Sequence, residues 1–141
     1  MSARLALLAL ALAVAAPVAA QDTTAAPPPP AAPSAVAVAE AVIARSVVDR
    51  VPQDTGAAFP ADVAELILFT RITGSSGADV IHHVWFHGDE QVADVELRVG
   101  GSPWRTWSRK TIPMEWTGAW HVEVRDASGA ILKRPDFTIG Q

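Results

Sequence analysis

The sequence predicts an all-β domain, an antiparallel β-sandwich of about seven strands. Three observations predict it. Gln91 to Val99 alternates with a period of two: Ala93, Val95, Leu97 and Val99 share one face, and Asp94, Glu96 and Arg98 the other. Short runs rich in β-branched and aromatic residues recur between Gly, Pro, Asp and Ser turns. No helical period survives within residues 64–140, which argues against alternating β/α architectures.

The elements follow in order. Ala39 to Val48 reads either as a strand or as a short helix, since its alanines favour helix and its valines and isoleucine favour strand. Pro52 to Asp62 is a turn-rich connection. Glu65 to Ile72 is strand-like, and Gly74 to Gly77 turns the chain. Val80 to His87 is the next strand, closed by a hairpin turn at Gly88 to Glu90. After the alternating strand, Gly100 to Pro103 turns again. Trp104 to Thr111 is a polar strand carrying tryptophan. Gly118 to Arg125 alternates, with Trp120, Val122 and Val124 inward. Asp126 to Gly129 is a turn. Ile131 to Ile139 is the last strand, where Pro135 marks an edge position or a bulge. The architecture is immunoglobulin-like at most in outline. The chain has no cysteine and no tyrosine, so neither the inter-sheet disulfide nor the tyrosine corner of that group can form.

Ahead of this domain, residues 1–20 read as a secretory signal peptide. Arg4 gives a positive start, Leu5 to Ala16 an apolar core, and Val18-Ala19-Ala20 a small-residue cleavage site after Pro17. The apolar stretch to Ala20 falls short of the roughly 20 residues that span a bilayer, so an uncleaved anchor is the weaker reading. Residues 21–38 form an Ala/Pro-rich spacer with four consecutive prolines and no amphipathic period. Such a segment cannot bury enough surface to offset its ordering entropy. The folded domain occupies residues 39–141. No membrane span is expected after signal cleavage, and the product is expected in the periplasm or outside the cell.

Composition excludes several chemistries. With 11 basic and 15 acidic residues the net charge is -4, and losing Arg4 with the leader leaves -5, which argues against nucleic acid as a partner. Without cysteine there is no thiolate catalysis, no cysteine-ligated zinc and no lipidated-cysteine anchor. His82 and His83 point to opposite faces of one strand. His83 and His87 share a face but sit roughly 13 Å apart, too far for one metal. The packing alternative puts a partly buried histidine at 82, among Val80, Val84 and Phe86, and exposed ones elsewhere. No nucleophile elbow or phosphate-cradling loop occurs, and no carboxylate pair can be assigned. No metal, cofactor or catalytic activity is expected.

The segment Trp104-Arg105-Thr106-Trp107-Ser108-Arg109-Lys110 stands out. Alternation places Trp104, Thr106, Ser108 and Lys110 on one face and Arg105, Trp107 and Arg109 on the other. Either polar groups are buried or a tryptophan is exposed. A tryptophan between arginines can stack on a sugar or bind a carboxylate through a guanidinium fork. Alternatively, Trp107 packs in the core beneath the arginines' aliphatic stems.

Taken in order, Phe69-Thr70-Arg71-Ile72, His83-Val84-Trp85-Phe86, Trp104 to Lys110, Gly118 to Val124, and Gly129 with Phe137-Thr138-Ile139 resemble the bacterial domain of unknown function DUF2914, over about residues 40–140. The resemblance implies a small β-rich module, often C-terminal in envelope-associated or membrane proteins, with no established activity. Its pattern matches at His83, Trp85, Arg105, Trp107, Ser108 and Lys110, which become the candidate ligand-binding residues. The expected function is a non-catalytic binding or interaction module of the bacterial cell envelope, its partner an envelope protein or a glycan. A scaffold domain that assembles with an envelope protein is the alternative, followed by a hydrolytic or metal-dependent enzyme.

Overall fold

The structure is a computed structural model and describes residues 35–140. The expected leader, and all but the end of the expected spacer, lie outside the described residues. The described chain is all-β, with eleven strands and no helix. No helix there is long and apolar enough to cross a membrane.

The first strand, β1, runs Ala37–Ala44, which settles the open strand-or-helix reading of this stretch. A small hairpin follows, β2 (Ser46–Val48) and β3 (Val51–Gln53), with Asp49 and Arg50 as its two-residue turn. Then come β4 (Ala58–Phe59), β5 (Glu65–Thr73), β6 (Asp79–His87) and β7 (Glu90–Val99). The chain continues with β8 (Trp104–Thr111), β9 (Gly118–Asp126), β10 (Ile131–Lys133) and β11 (Asp136–Ile139). The expected last strand is thus two, divided at Arg134-Pro135. Proline has no N–H to give a ladder, and its neighbour β10 pairs with β9 through an irregular register.

Two sheets face each other. One has the order β1-β5-β8 and the other β4-β11-β9-β6-β7, with β10 also on β9. The core lies between them: Leu66, Leu68 and Ile72 from β5 meet Ile81 and Trp85 from β6 and Trp120, Val122 and Val124 from β9. Trp85 and Trp120 are its largest buried side chains. Phe137 bridges them, edge-on to Trp85 at 6.3 Å and stacked on Trp120 at 6.0 Å.

Strand β5 is apolar on both faces, and both are covered. Its outward Ile67 and Phe69 are as buried as its inward leucines. Trp107 stacks on Phe69 at 6.3 Å, and the β2–β3 hairpin lies against the same face. The register orders that outer face in rows: Val42–Phe69–Trp107, then Glu40–Arg71–Arg105.

Strand β6 corrects one expectation. His83, not His82, faces the interior, together with Ile81 and Trp85. His82 faces outward and bonds Asp94 at 2.7 Å. Both faces of β6 are apolar enough to be buried, so hydrophobicity alone does not choose. The outward Phe86 is covered instead by His121, stacked at 4.5 Å, and by Arg125.

Candidate functional site

The six candidate residues do not form one surface. His83, Trp85 and Ser108 belong to the interior, where they make a hydrogen-bonded chain between the two sheets. Trp85 Nε1 donates to Ser108 Oγ at 3.1 Å, and Ser108 Oγ lies 2.8 Å from His83 Nδ1. His83 Nε2 lies 3.2 Å from Thr70 Oγ1, which donates to the Thr106 carbonyl at 3.1 Å. The ends fix the direction: an indole N–H only donates and a carbonyl only accepts. Ser108 therefore gives its proton to His83 Nδ1, and His83 carries its proton on Nε2. Burial pushes the imidazole down to about 3, so it is neutral at physiological pH.

A serine hydroxyl beside an imidazole has the composition of a nucleophile and its base. Here Ser108 is buried, its hydroxyl already accepts an indole proton, and its histidine is backed by Thr70 rather than by a carboxylate. This arrangement holds the sheets together. Lys110 sits elsewhere: its ammonium lies 5.5 Å from the Trp116 ring centroid and donates to the Thr111 carbonyl.

Arg105 and Trp107 are on the outer face of the three-stranded sheet, where alternation places them. They line a cavity of about 590 Å³ at the free edge of β8. Trp104 and Thr106 reach the same cavity from the other face of β8, so it wraps around that edge. Gly100 makes room for Trp104: a Cβ there would meet the indole at 3.0 Å. The indole remains 38% exposed.

Three more arginines complete the cavity, each from a different element: Arg50 from the hairpin turn, Arg71 from β5 and Arg98 near the end of β7. No carboxylate lines it. Arg71, Arg109, Arg125 and Arg134 each have an acidic partner. Among the described residues, Arg45, Arg50, Arg98 and Arg105 have none, and three of those four meet here. Arg71 and Arg105 are direct cross-strand neighbours. Like charges in that position destabilise a sheet. Glu40 reaches Arg71 from the far side, at 3.7 Å from Nε, too long for a hydrogen bond, and that Nε is buried without an acceptor.

Of the residues around this cavity, the sequence singles out Arg105 and Trp107 as candidates but not Arg50, Arg71 and Arg98 as their neighbours. Only the β5–β8 register brings Arg71 beside Arg105, and local alternation shows Arg98 simply as part of the polar face of its strand. Arg50 carried a usable signal. A two-residue Asp-Arg gap between Val47-Val48 and Val51 fits a tight hairpin, although it lacks the usual glycine. No group of three or more potential metal ligands is arranged around a common point among the described residues.

Residues 78–139 match the family model DUF2914, a protein of unknown function. The match supports the family resemblance read from the motifs over β6 to β11, a shorter stretch than the expected residues 40–140, and leaves Phe69 to Ile72 outside it. No curated protein matches the chain.

Proposed function

We propose that this chain, similar to DUF2914 over residues 78–139, is an exported, non-catalytic binding module of the cell envelope that captures an anionic ligand in the arginine cavity. The observation that carries this reading is the direct opposition of Arg71 and Arg105, joined by Arg50 and Arg98 in a cavity without a carboxylate. In an acidic chain such a cluster lowers stability unless an anion bridges it. Guanidinium groups are planar forks suited to carboxylates and phosphates. The cavity falls within the roughly 300–1,000 Å³ range of small-molecule sites. The apolar leader with its small-residue cleavage site supports export, and the proline-rich spacer supports a tethered domain.

Calorimetric titration of the purified chain with hyaluronan oligosaccharides, oligogalacturonides and inorganic polyphosphate tests the reading. At least one is expected to bind, to weaken as salt rises, and to lose about tenfold or more in affinity in Arg105→Ala, consistent with a charged hydrogen bond. Trp107→Ala is expected to weaken it as well. No binding by any of the three, or binding unchanged in both variants, overturns the site. Export is tested by the mass of the chain recovered outside the cytoplasm, expected to begin at Gln21.

A further inference from the structure

We infer that the ligand is an oligosaccharide in which acidic and neutral sugars alternate, lying across two adjoining hollows; this rests on the anion-binding reading above. The second hollow, of about 340 Å³, lies against the same outer face. Arg50 and Arg105 line both, so the two hollows adjoin at those side chains. Together they make a groove over the sheet, with the hairpin turn above it.

The two halves differ in chemistry. The first has four guanidinium groups and an exposed indole. The second shares Arg50 and Arg105 with the first and adds Val42, Val51, Pro52 and Phe69, the Thr55 hydroxyl and the Glu40 carboxylate. Glu40, which faces Arg71 at 3.7 Å, offsets part of the positive charge there, while apolar surface with a hydroxyl suits an uncharged sugar ring. A densely charged chain such as polyphosphate therefore gains less from the second half than from the first. In the first half, Trp104 offers a flat face for a pyranose ring, and the arginine forks match its carboxylate. One anionic unit followed by one neutral unit satisfies both halves.

The probe is hyaluronan, whose repeat is a glucuronate and an N-acetylhexosamine. Its di- and tetrasaccharide are titrated into the purified chain beside oligogalacturonide and inorganic polyphosphate. The tetrasaccharide is expected to bind at least tenfold tighter than the disaccharide. Thr55→Glu, at an exposed position, is expected to weaken the tetrasaccharide more than the disaccharide and so shrink that gain, with its thermal melt verifying the fold. Trp104→Ala is expected to weaken both saccharides and leave polyphosphate unaffected. Equal affinity for both saccharide lengths overturns the two-hollow groove and leaves the anion site standing. Tighter binding of polyphosphate or oligogalacturonide overturns the alternating-sugar ligand and also leaves the anion site standing. Failure of every anion to bind removes both.

Discussion

Ser108 Oγ of the three-stranded sheet lies 2.8 Å from His83 Nδ1 of the facing sheet, a hydrogen bond across the sandwich interior. The same oxygen accepts the Trp85 indole N–H. Replacing Ser108 by alanine leaves two buried groups unpartnered, the indole N–H and the imidazole Nδ1. Each such loss costs about 1–3 kcal/mol. Urea denaturation of Ser108→Ala should show a loss of about 2–4 kcal/mol. A loss below about 1 kcal/mol would mean the chain of bonds does not hold the sheets together.

The same network predicts an acid sensitivity. The folded-state value of His83 is depressed from its ordinary 6.5 to about 3. Between those values the unfolded chain holds a proton at this residue that the folded chain does not. Its contribution is therefore fully present above about pH 6.5 and is lost progressively as pH falls toward 3, by about 1.4 kcal/mol per pH unit. From pH 7 to pH 5 the parent chain should lose about 2 kcal/mol more than His83→Gln, in which this group is removed. In NMR spectra the His83 ring signals should stay fixed over that range, in the Nε2–H tautomer. Titration near 6.5 would contradict a neutral, buried ring.

The fold was more legible than the site, for physical reasons that individual residues show. Val95, Leu97 and Val99 announce β7 because one of its faces is solvated, so the period of two is clean. β6 has apolar residues on both faces, and its pattern could not decide between His82 and His83. The choice falls to Ser108 and Thr70, which come from the opposite sheet and are invisible to local patterning. The alternation in β8 separated Ser108 from Arg105 and Trp107 correctly, yet the family pattern grouped them as one surface. A motif running along one strand alternates between two faces, so framework and cavity residues are interleaved in it. The arginine cavity draws on four elements spread between residues 50 and 107, and only strand register brings Arg71 beside Arg105.

Two glycines give a paired test of the fold. Gly74 has φ +77°, and a Cβ there would lie 1.9 Å from the Ala35 carbonyl oxygen. Gly88, in the β6–β7 hairpin, has φ +61° with open space around it. Gly88→Ala meets only the left-handed backbone penalty, about 1–2 kcal/mol. Gly74→Ala adds a collision with backbone that no side-chain rotation relieves. Thermal melts should therefore rank Gly74→Ala well below Gly88→Ala. The reverse order would mean that the segment leading into β1 does not pack against the β5–β6 turn.

The hairpin turn that carries Arg50 sets stability against binding. Asp49 and Arg50 have φ 50° and 61°, both left-handed, in a two-residue turn where Asp-Gly or Asn-Gly is the favoured pair. Holding a long side chain there costs about 1–2 kcal/mol relative to an unstrained backbone, part of which a glycine gives back as extra entropy in the unfolded chain. Arg50→Gly should therefore raise stability by about 0.5–1 kcal/mol, since the residue is exposed and has no ion-pair partner among the described residues. If Arg50 is retained for its charge at the junction of the two hollows, the same substitution should weaken anion binding about fivefold or more. Arg50→Ala separates the two effects: it removes the charge and keeps the strain, so affinity should fall without a gain in stability. A stabilised Arg50→Gly variant with undiminished affinity would show that the strained turn serves something other than the ligand.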